Sequence, residues 1–263
     1  KSHGDVPLHT ALAHSYNLAT ARLGMDVGLD NVMDMFQRLG IQRPLLKVPS
    51  MLLGAAELAP IEVAAMYQTI AAGGSYTPLR TIYAIADSDG KLLARYPQKP
   101  KQVVNPAAVH VLQYAMLETV REGTGKGVYN VLPKDYRVAG KTGTTNGPTD
   151  AWFSGYSGGI VTSTWAGFDQ NLNLGRREYG GSVALPIWID YMREALKNHP
   201  ERYLKQPNSI ISVRIDPDTG GLAQPGQANA IFEYFRTDNA PSEEFNPSAN
   251  PYGPGSDDPI EIF

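Results

Sequence analysis

Three short β-type runs, over residues 136–145, 151–156 and 160–168, are separated only by turns built on Asn146-Gly147-Pro148 and Ser157-Gly158-Gly159. A parallel crossover needs about a dozen residues or more, so these neighbours must pair antiparallel. Ahead of them the periodicity is helical. Leu29, Val32, Met33, Phe36 and Leu39 recur at helical spacing before Gly40, and a second run opens at Ala59-Pro60 and stops at Gly73-Gly74. Asn105-Pro106 is an N-cap and N1 pair for a long helix through Val109, Leu112, Met116, Leu117 and Val120, which Gly123, Gly125 and Gly127 end. Residues 81–86 and 91–96 flank Asp87-Ser88-Asp89-Gly90 as a hairpin. A helix over 185–197 and a hairpin pairing 209–215 with Leu222-Ala223 close the pattern. Helices first and an antiparallel meander second predict an α+β fold, not βαβ units.

Composition removes several functions. The chain has 263 residues, 42% of them apolar, and a net charge of −3, which disfavours general affinity for nucleic acid. With no cysteine there is no disulfide, thiol nucleophile, iron–sulfur cluster or cysteine-held zinc. The five histidines form no His-Glu-x-x-His, which excludes a zincin. No apolar run approaches the roughly 18 residues of a membrane span, and Lys1–Asp5 shows no signal-peptide h-region. Charge is uneven along the chain. From Thr237 to Phe263 there are six acids, five prolines and no Lys or Arg, so that segment is expected to be a disordered tail. The expected organisation is a main unit over 1–200, a β-hairpin extension over 201–236 and the tail over 237–263.

The strongest motif is Lys141-Thr142-Gly143-Thr144-Thr145, at the end of a strand and just before a turn. Strand alternation puts Thr142 and Thr144 on one face and Lys141 on the other. A ligand using all three must lie along the strand's edge, bonding backbone as an added strand does. Gly143, without a Cβ, permits close approach; the plainer reading is an edge strand guarded by a lysine. Ala139-Gly140-Lys141-Thr142 is no P-loop, because Asp135 stands where the first glycine belongs and a turn, not a helix, follows. Asp216–Gly221 is no EF-hand loop, since Gly220 and Gln227 occupy ligand positions. Ser15-Tyr16-Asn17 lies between two helical pieces, where Ser15 or Asn17 either caps the next helix or serves a site.

Taken in order, these motifs resemble the class A, bifunctional penicillin-binding proteins, nearest their 1A branch. The likeness is carried by Thr10–Thr20, Leu53–Ala64, Arg121-Glu122-Gly123-Thr124-Gly125, Ala139–Thr145, Asp150–Tyr156 and Ala184–Trp188, and runs from about residue 6 to 223. The family's motif set is Ser-x-x-Lys, Ser-x-Asn and Lys-Thr-Gly. The resemblance implies a transpeptidase fold of the penicillin-binding-protein and serine β-lactamase type, an antiparallel sheet flanked by helices. It implies Ser15 and Lys141 as catalytic groups, with Asn17, Thr142, Gly143, Thr144 and Thr145 binding substrate, and no metal or cofactor. Peptidoglycan stem peptides ending in D-Ala-D-Ala and β-lactams are the implied ligands, cell-wall synthesis regulators the implied partners, and the periplasmic face of the inner membrane the implied location.

One departure stands out. The only Ser-x-x-Lys is Ser88-Asp89-Gly90-Lys91, in a predicted turn and after the Ser-x-Asn instead of before it. A turn serine has no oriented base, so Ser88 is not the nucleophile. The expectation is a C-terminal portion of a transpeptidase domain, with the nucleophile helix, the first strands, a membrane anchor and a glycosyltransferase domain lying upstream. Two alternatives stay open: a nucleophile-free peptidoglycan-binding pseudo-enzyme, and a carboxypeptidase or β-lactamase-like hydrolase.

Overall fold

The computed structural model describes residues 3–199 and 205–241. Helices α1 (Leu8–His14), α2 (Asn17–Val27) and α3 (Leu29–Arg38) follow one another closely. Helix α4 (Pro60–Ala71) starts where the Glu62 carboxylate accepts the Ala59 N–H at 2.8 Å. Strands β1 (Ser75–Tyr76), β2 (Ala84–Ala86), β3 (Leu92–Arg95) and β4 (Lys101–Gln102) make two small antiparallel pairs, β1 with β4 and β2 with β3. Ser88 lies in the β2–β3 turn, where Asp87 Oδ1 accepts the N–H groups of Asp89 and Lys91. Helix α5 (Pro106–Arg121) has the expected cap, Asn105 Oδ1 accepting the Ala107 N–H at 2.8 Å.

Next come β5 (Ala139–Thr144), β6 (Asp150–Ser157) and β7 (Ile160–Gly167), an antiparallel sheet in the order β5-β6-β7. Each lies within a residue or three of the predicted run. Helix α6 (Leu185–Ala195) is entered through a wide turn at Gly180–Ala184. Register sorts the sheet's two faces. Thr144 opposes Ala151, Thr142 opposes Phe153 and Gly140 opposes Gly155 on one face; Lys141 opposes Ser154 and Ala139 opposes Tyr156 on the other. The Phe153 face packs on α6, with Trp188, Met192 and Val128 fully buried and the Phe153 and Trp188 rings edge to face at 5.0 Å. The opposite face packs under α4 and α5 through Ile70, Val109, Met116 and Leu117.

The C-terminal hairpin corrects the sequence reading. Strand β8 (Ile210–Ile215) pairs along its whole length with β9 (Ile231–Arg236), while the expected return through Leu222-Ala223 is kept only as a bridge from Leu222 to Ile215 and the Ala223 N–H on Arg214 O at 3.1 Å. Pro225 explains the change: it has no N–H for a ladder, and the chain turns again with Gln227 N–H on Gln224 O at 3.1 Å. The hairpin docks on the helices through His9 and Glu233, 3.1 Å apart, and through the Tyr114 and Tyr234 rings, 3.8 Å between centroids. At the expected start of the tail, Thr237 N–H bonds Ser209 O at 2.9 Å, so that residue is tied to the hairpin. Residues 242–263 of that tail lie outside the described residues, as do residues 201–204 at the expected start of the extension. No helix among the described residues is long and apolar enough to cross a membrane.

Candidate active site at the free edge of β5

Strand β5 is an edge strand of its sheet. Thr145 N–H bonds Asp150 O at 3.2 Å. In an antiparallel ladder bonded and non-bonded pairs alternate, so Thr144 and Thr142 turn their backbone N–H and C=O to the free edge. The site is assembled on that edge.

Ser15 reaches it from α1. It ends that helix in the left-handed region, φ 57° and ψ 51°, with its N–H on Leu12 O at 3.2 Å. A non-glycine residue held there is uncommon and is secured by the bond from Tyr16 N–H to Ala11 O at 2.9 Å. Neither Ser15 nor Asn17 caps α2, which begins at Asn17 with no side-chain cap. The capping alternative therefore fails, and the Ser15 hydroxyl turns instead to β5. Lys141 Nζ donates to Ser15 Oγ at 2.9 Å, across 126 positions of sequence, and to Thr142 O at 3.0 Å. Asn17 is exposed in the first turn of α2, just past Ser15.

Burial desolvates Lys141 and lowers its pKa to about 8. The same face holds Tyr67 and Tyr156, whose phenols burial pushes above their ordinary range. The ammonium is thus poised near neutrality to keep or release its proton, with a serine hydroxyl in contact. That is the arrangement a proton relay needs.

The hydroxyls of Thr142 and Thr144 sit on the other face. Thr144 Oγ1 accepts the Gly180 N–H at 3.0 Å, and Thr142 Oγ1 donates to Thr124 Oγ1 at 2.7 Å. Gly180 must be glycine, because a Cβ would stand 2.4 Å from Trp152 O and 2.5 Å from Gly143 O. Gly143 leaves its stretch of strand bare, with Trp152 Cβ 3.1 Å from where a side chain would start. Thr145 is separate from this group. Its hydroxyl accepts the N–H groups of Thr149 and Asp150 at 3.1 and 2.9 Å, closing the β5–β6 turn. The turn claims the side chain that the motif alone would give to a ligand.

The structure therefore brings Ser15, Lys141, Thr142, Gly143 and Thr144 together, with Asn17 adjacent. It adds two residues that were given no role, Thr124 and Gly180. The signal for Thr124 was a lone polar residue between two glycines directly after a long helix. Among the described residues no three carboxylates or imidazoles converge on a metal position.

Known proteins resemble the chain in sequence and fold. Residues 1–187 match the model of the penicillin binding protein transpeptidase domain. Penicillin-binding protein 1A of Pseudomonas aeruginosa is 33% identical over 316 residues, covering 99% of this chain and 38% of that protein. The chain thus spans well under half of that relative's length. The crystal structure of penicillin-binding protein 1A from Haemophilus influenzae superposes with a TM-score of 0.85 at 28% identity, covering 92% of this chain and 41% of that one. The PonA1 protein of Mycobacterium tuberculosis in complex with penicillin V shares the fold, with a TM-score of 0.69 at 24% identity over 79% of this chain and 61% of that one. The expected α+β architecture, a sheet flanked by helices, is the fold of these domains.

Proposed function

The chain belongs to the penicillin-binding protein transpeptidase family, and we propose that it supplies the proton-relay and carboxylate-holding residues of a serine D,D-transpeptidase that cross-links peptidoglycan stem peptides. The observation that carries this reading is the 2.9 Å contact between Lys141 Nζ and Ser15 Oγ beside the free edge of β5. In this reading the acylating serine belongs to a Ser-x-x-Lys that precedes Ser15 in the intact protein. Its Oγ attacks the penultimate D-Ala carbonyl and forms an ester, the C–N bond breaks, and its proton passes to that motif's lysine.

The departing D-Ala nitrogen needs a proton. Ser15 hands over its own and is reprotonated within the hydrogen-bonded lysine network, with Lys141 holding the local field positive. Thr142 and Thr144 hydroxyls hold the terminal carboxylate, and Asn17 donates to the donor peptide. The Thr144 N–H faces the free edge, where it stabilises the carbonyl oxygen as negative charge develops; a donor of this kind is worth about 3 kcal/mol. An acceptor amine then attacks the ester and releases the serine. β-Lactams would acylate the same serine, and the protein would work at the periplasmic face of the inner membrane with a glycosyltransferase domain upstream.

Fluorescent penicillin tests the reading. The full-length protein should give a labelled band on a denaturing gel that maps to a Ser-x-x-Lys serine, and should form dimers from stem peptides when an acceptor amine is supplied. Residues 1–263 alone should give no band. A label on Ser15 or Ser88 would overturn the assignment of the nucleophile, and hydrolysed monomer in place of dimer would make the enzyme a carboxypeptidase.

A further inference from the structure

The two hydroxyls that would hold a carboxylate are both engaged in the structure, but differently. Thr144 Oγ1 accepts the Gly180 N–H and keeps its own hydrogen to donate. Thr142 gives its hydrogen to Thr124 Oγ1. A threonine hydroxyl has one hydrogen, so Thr142 as it stands has none for an anion. Together the pair has one hydrogen to spare. With the oxygens as they stand Thr142 is the donor; a small rotation of the Thr124 side chain together with both hydroxyl rotors lets Thr124 donate to Thr142 and Thr142 donate outward.

Thr124 is held for such a role. In its loop, Gly123 N–H bonds Glu118 O at 3.1 Å, Thr124 N–H bonds Ala13 O at 3.1 Å, and Gly125 N–H bonds Thr119 O at 2.9 Å. Three successive N–H groups are thus fixed, two to the end of α5 and one to the end of α1. Gly123 and Gly125 are buried, and Thr124 between them is exposed. Ala13 O, which holds Thr124, is two residues from Ser15, so one helix end locates both the relay serine and the partner of Thr142.

We propose that Thr124 is a positioning residue for carboxylate recognition: when an anionic ligand lies along β5, Thr124 donates to Thr142 Oγ1, so that the Thr142 hydrogen turns to the carboxylate. Donation in series polarises the outer hydroxyl and strengthens the bond it makes. This deepens the transpeptidase reading and rests on it.

The test compares acylation of the full-length protein by benzylpenicillin and by its neutral methyl ester. Thr124→Val should lower the acid-to-ester ratio of second-order rates by about two- to fourfold, because the Thr124–Thr142 bond is present with and without ligand and only its polarisation of the outer hydroxyl is lost, while Thr124→Ser keeps the wild-type ratio. Thr142→Val should lower the ratio as well, and adding Thr124→Val to it should cost nothing more, because one acts through the other. Thr124→Ala replaces the valine variant if the latter fails to fold, with the same expectation. A wild-type ratio in Thr124→Val or Thr124→Ala overturns the proposal, as does a loss that adds fully to that of Thr142→Val, or equal losses on acid and ester. A wild-type protein that neither compound acylates overturns the transpeptidase reading instead.

Discussion

The two faces of β5 solve opposite problems. On one, Lys141 shares the strand face of Ala139, which packs with Ile70, Met116, Tyr67 and Tyr156, while its Nζ reaches Ser15 Oγ and Thr142 O. There the cation is costly, and its pKa falls. On the other, Thr142 and Thr144 are neutral and are held by the backbone-fixed Gly123–Gly125 loop and the Gly180 turn. Alternation along six residues thus puts a lysine of lowered pKa and a pair of anchored hydroxyls on opposite faces of one strand edge. A helix presents neighbouring residues about a hundred degrees apart and cannot separate them so cleanly while leaving a backbone edge free for the ligand. The lysine face is shaped by desolvation, the threonine face by geometry, and the two should fail differently when perturbed.

The largest effect should come from the threonine side. A Cβ on Gly123 would lie 2.2 Å from Ala13 O and 2.9 Å from Thr119 O, both backbone atoms. Gly123→Ala must therefore push α1 away from the loop, carrying Ser15 off Lys141 and Thr124 off Thr142. Misplacement by about 1 Å costs on the order of a hundredfold in rate. Fluorescent-penicillin labelling of the full-length variant should fall by that factor or more, with a lowered melting temperature. A folded variant that labels at the wild-type rate would show that the two faces are not tied through this loop.

On the lysine side the perturbation is pH. With a pKa of about 8, Lys141 loses its charge where an ordinary lysine keeps it. The second-order rate of acylation by a carboxylate-bearing penicillin reports the free enzyme, so it should turn down near pH 8 and be about tenfold lower by pH 9. Lys141→Arg should remove that limb. Stability should move the other way. The folded chain binds fewer protons than the unfolded chain between pH 8 and the ordinary lysine range, so stability from this group rises with pH across that window. Lys141→Met should abolish the rise. A limb placed near pH 10 would mean that the lysine face is wet.

The sequence was legible where the signal is local. The turns around Gly147 and Gly158-Gly159, the Asn105 cap and the alternation through Lys141 are all readable within a few residues, and the structure keeps each of them. Other features depend on contacts made after folding. That Ser15 meets Lys141 was given by family resemblance; no periodicity links positions 126 apart. The left-handed Ser15 is set by the end of α1, and no glycine announces it. Thr124 is an unremarkable loop residue until Thr142 lies against it. Strand β9 was readable in its run of β-branched and aromatic residues, Ile231, Phe232, Tyr234 and Phe235, but the nearer Leu222-Ala223 competed for the same partner, and only Pro225 argued against it.

Thr145 offers the smallest effect and the sharpest contrast, because it continues the same run of residues. Its hydroxyl holds the β5–β6 turn, accepting two backbone N–H groups and contacting Thr149 Oγ1 at 2.8 Å. Thr145→Val keeps the shape and removes the acceptor. The site is exposed, so water can take over part of the bonding, and the loss should be about 1 kcal/mol. For a chain of this size that lowers the melting temperature by roughly 2–4 °C. Labelling by fluorescent penicillin should hardly change, since neither the Lys141–Ser15 contact nor the Thr142 and Thr144 hydroxyls depend on that oxygen. Thr144→Val should weaken labelling, because it removes the hydrogen left free to donate, and should cost at least as much in melting, because the buried Gly180 N–H loses its acceptor. If Thr145→Val reduced labelling as much as Thr144→Val, the turn residue would be reaching the ligand, and the boundary between site and turn would lie one residue further along the strand.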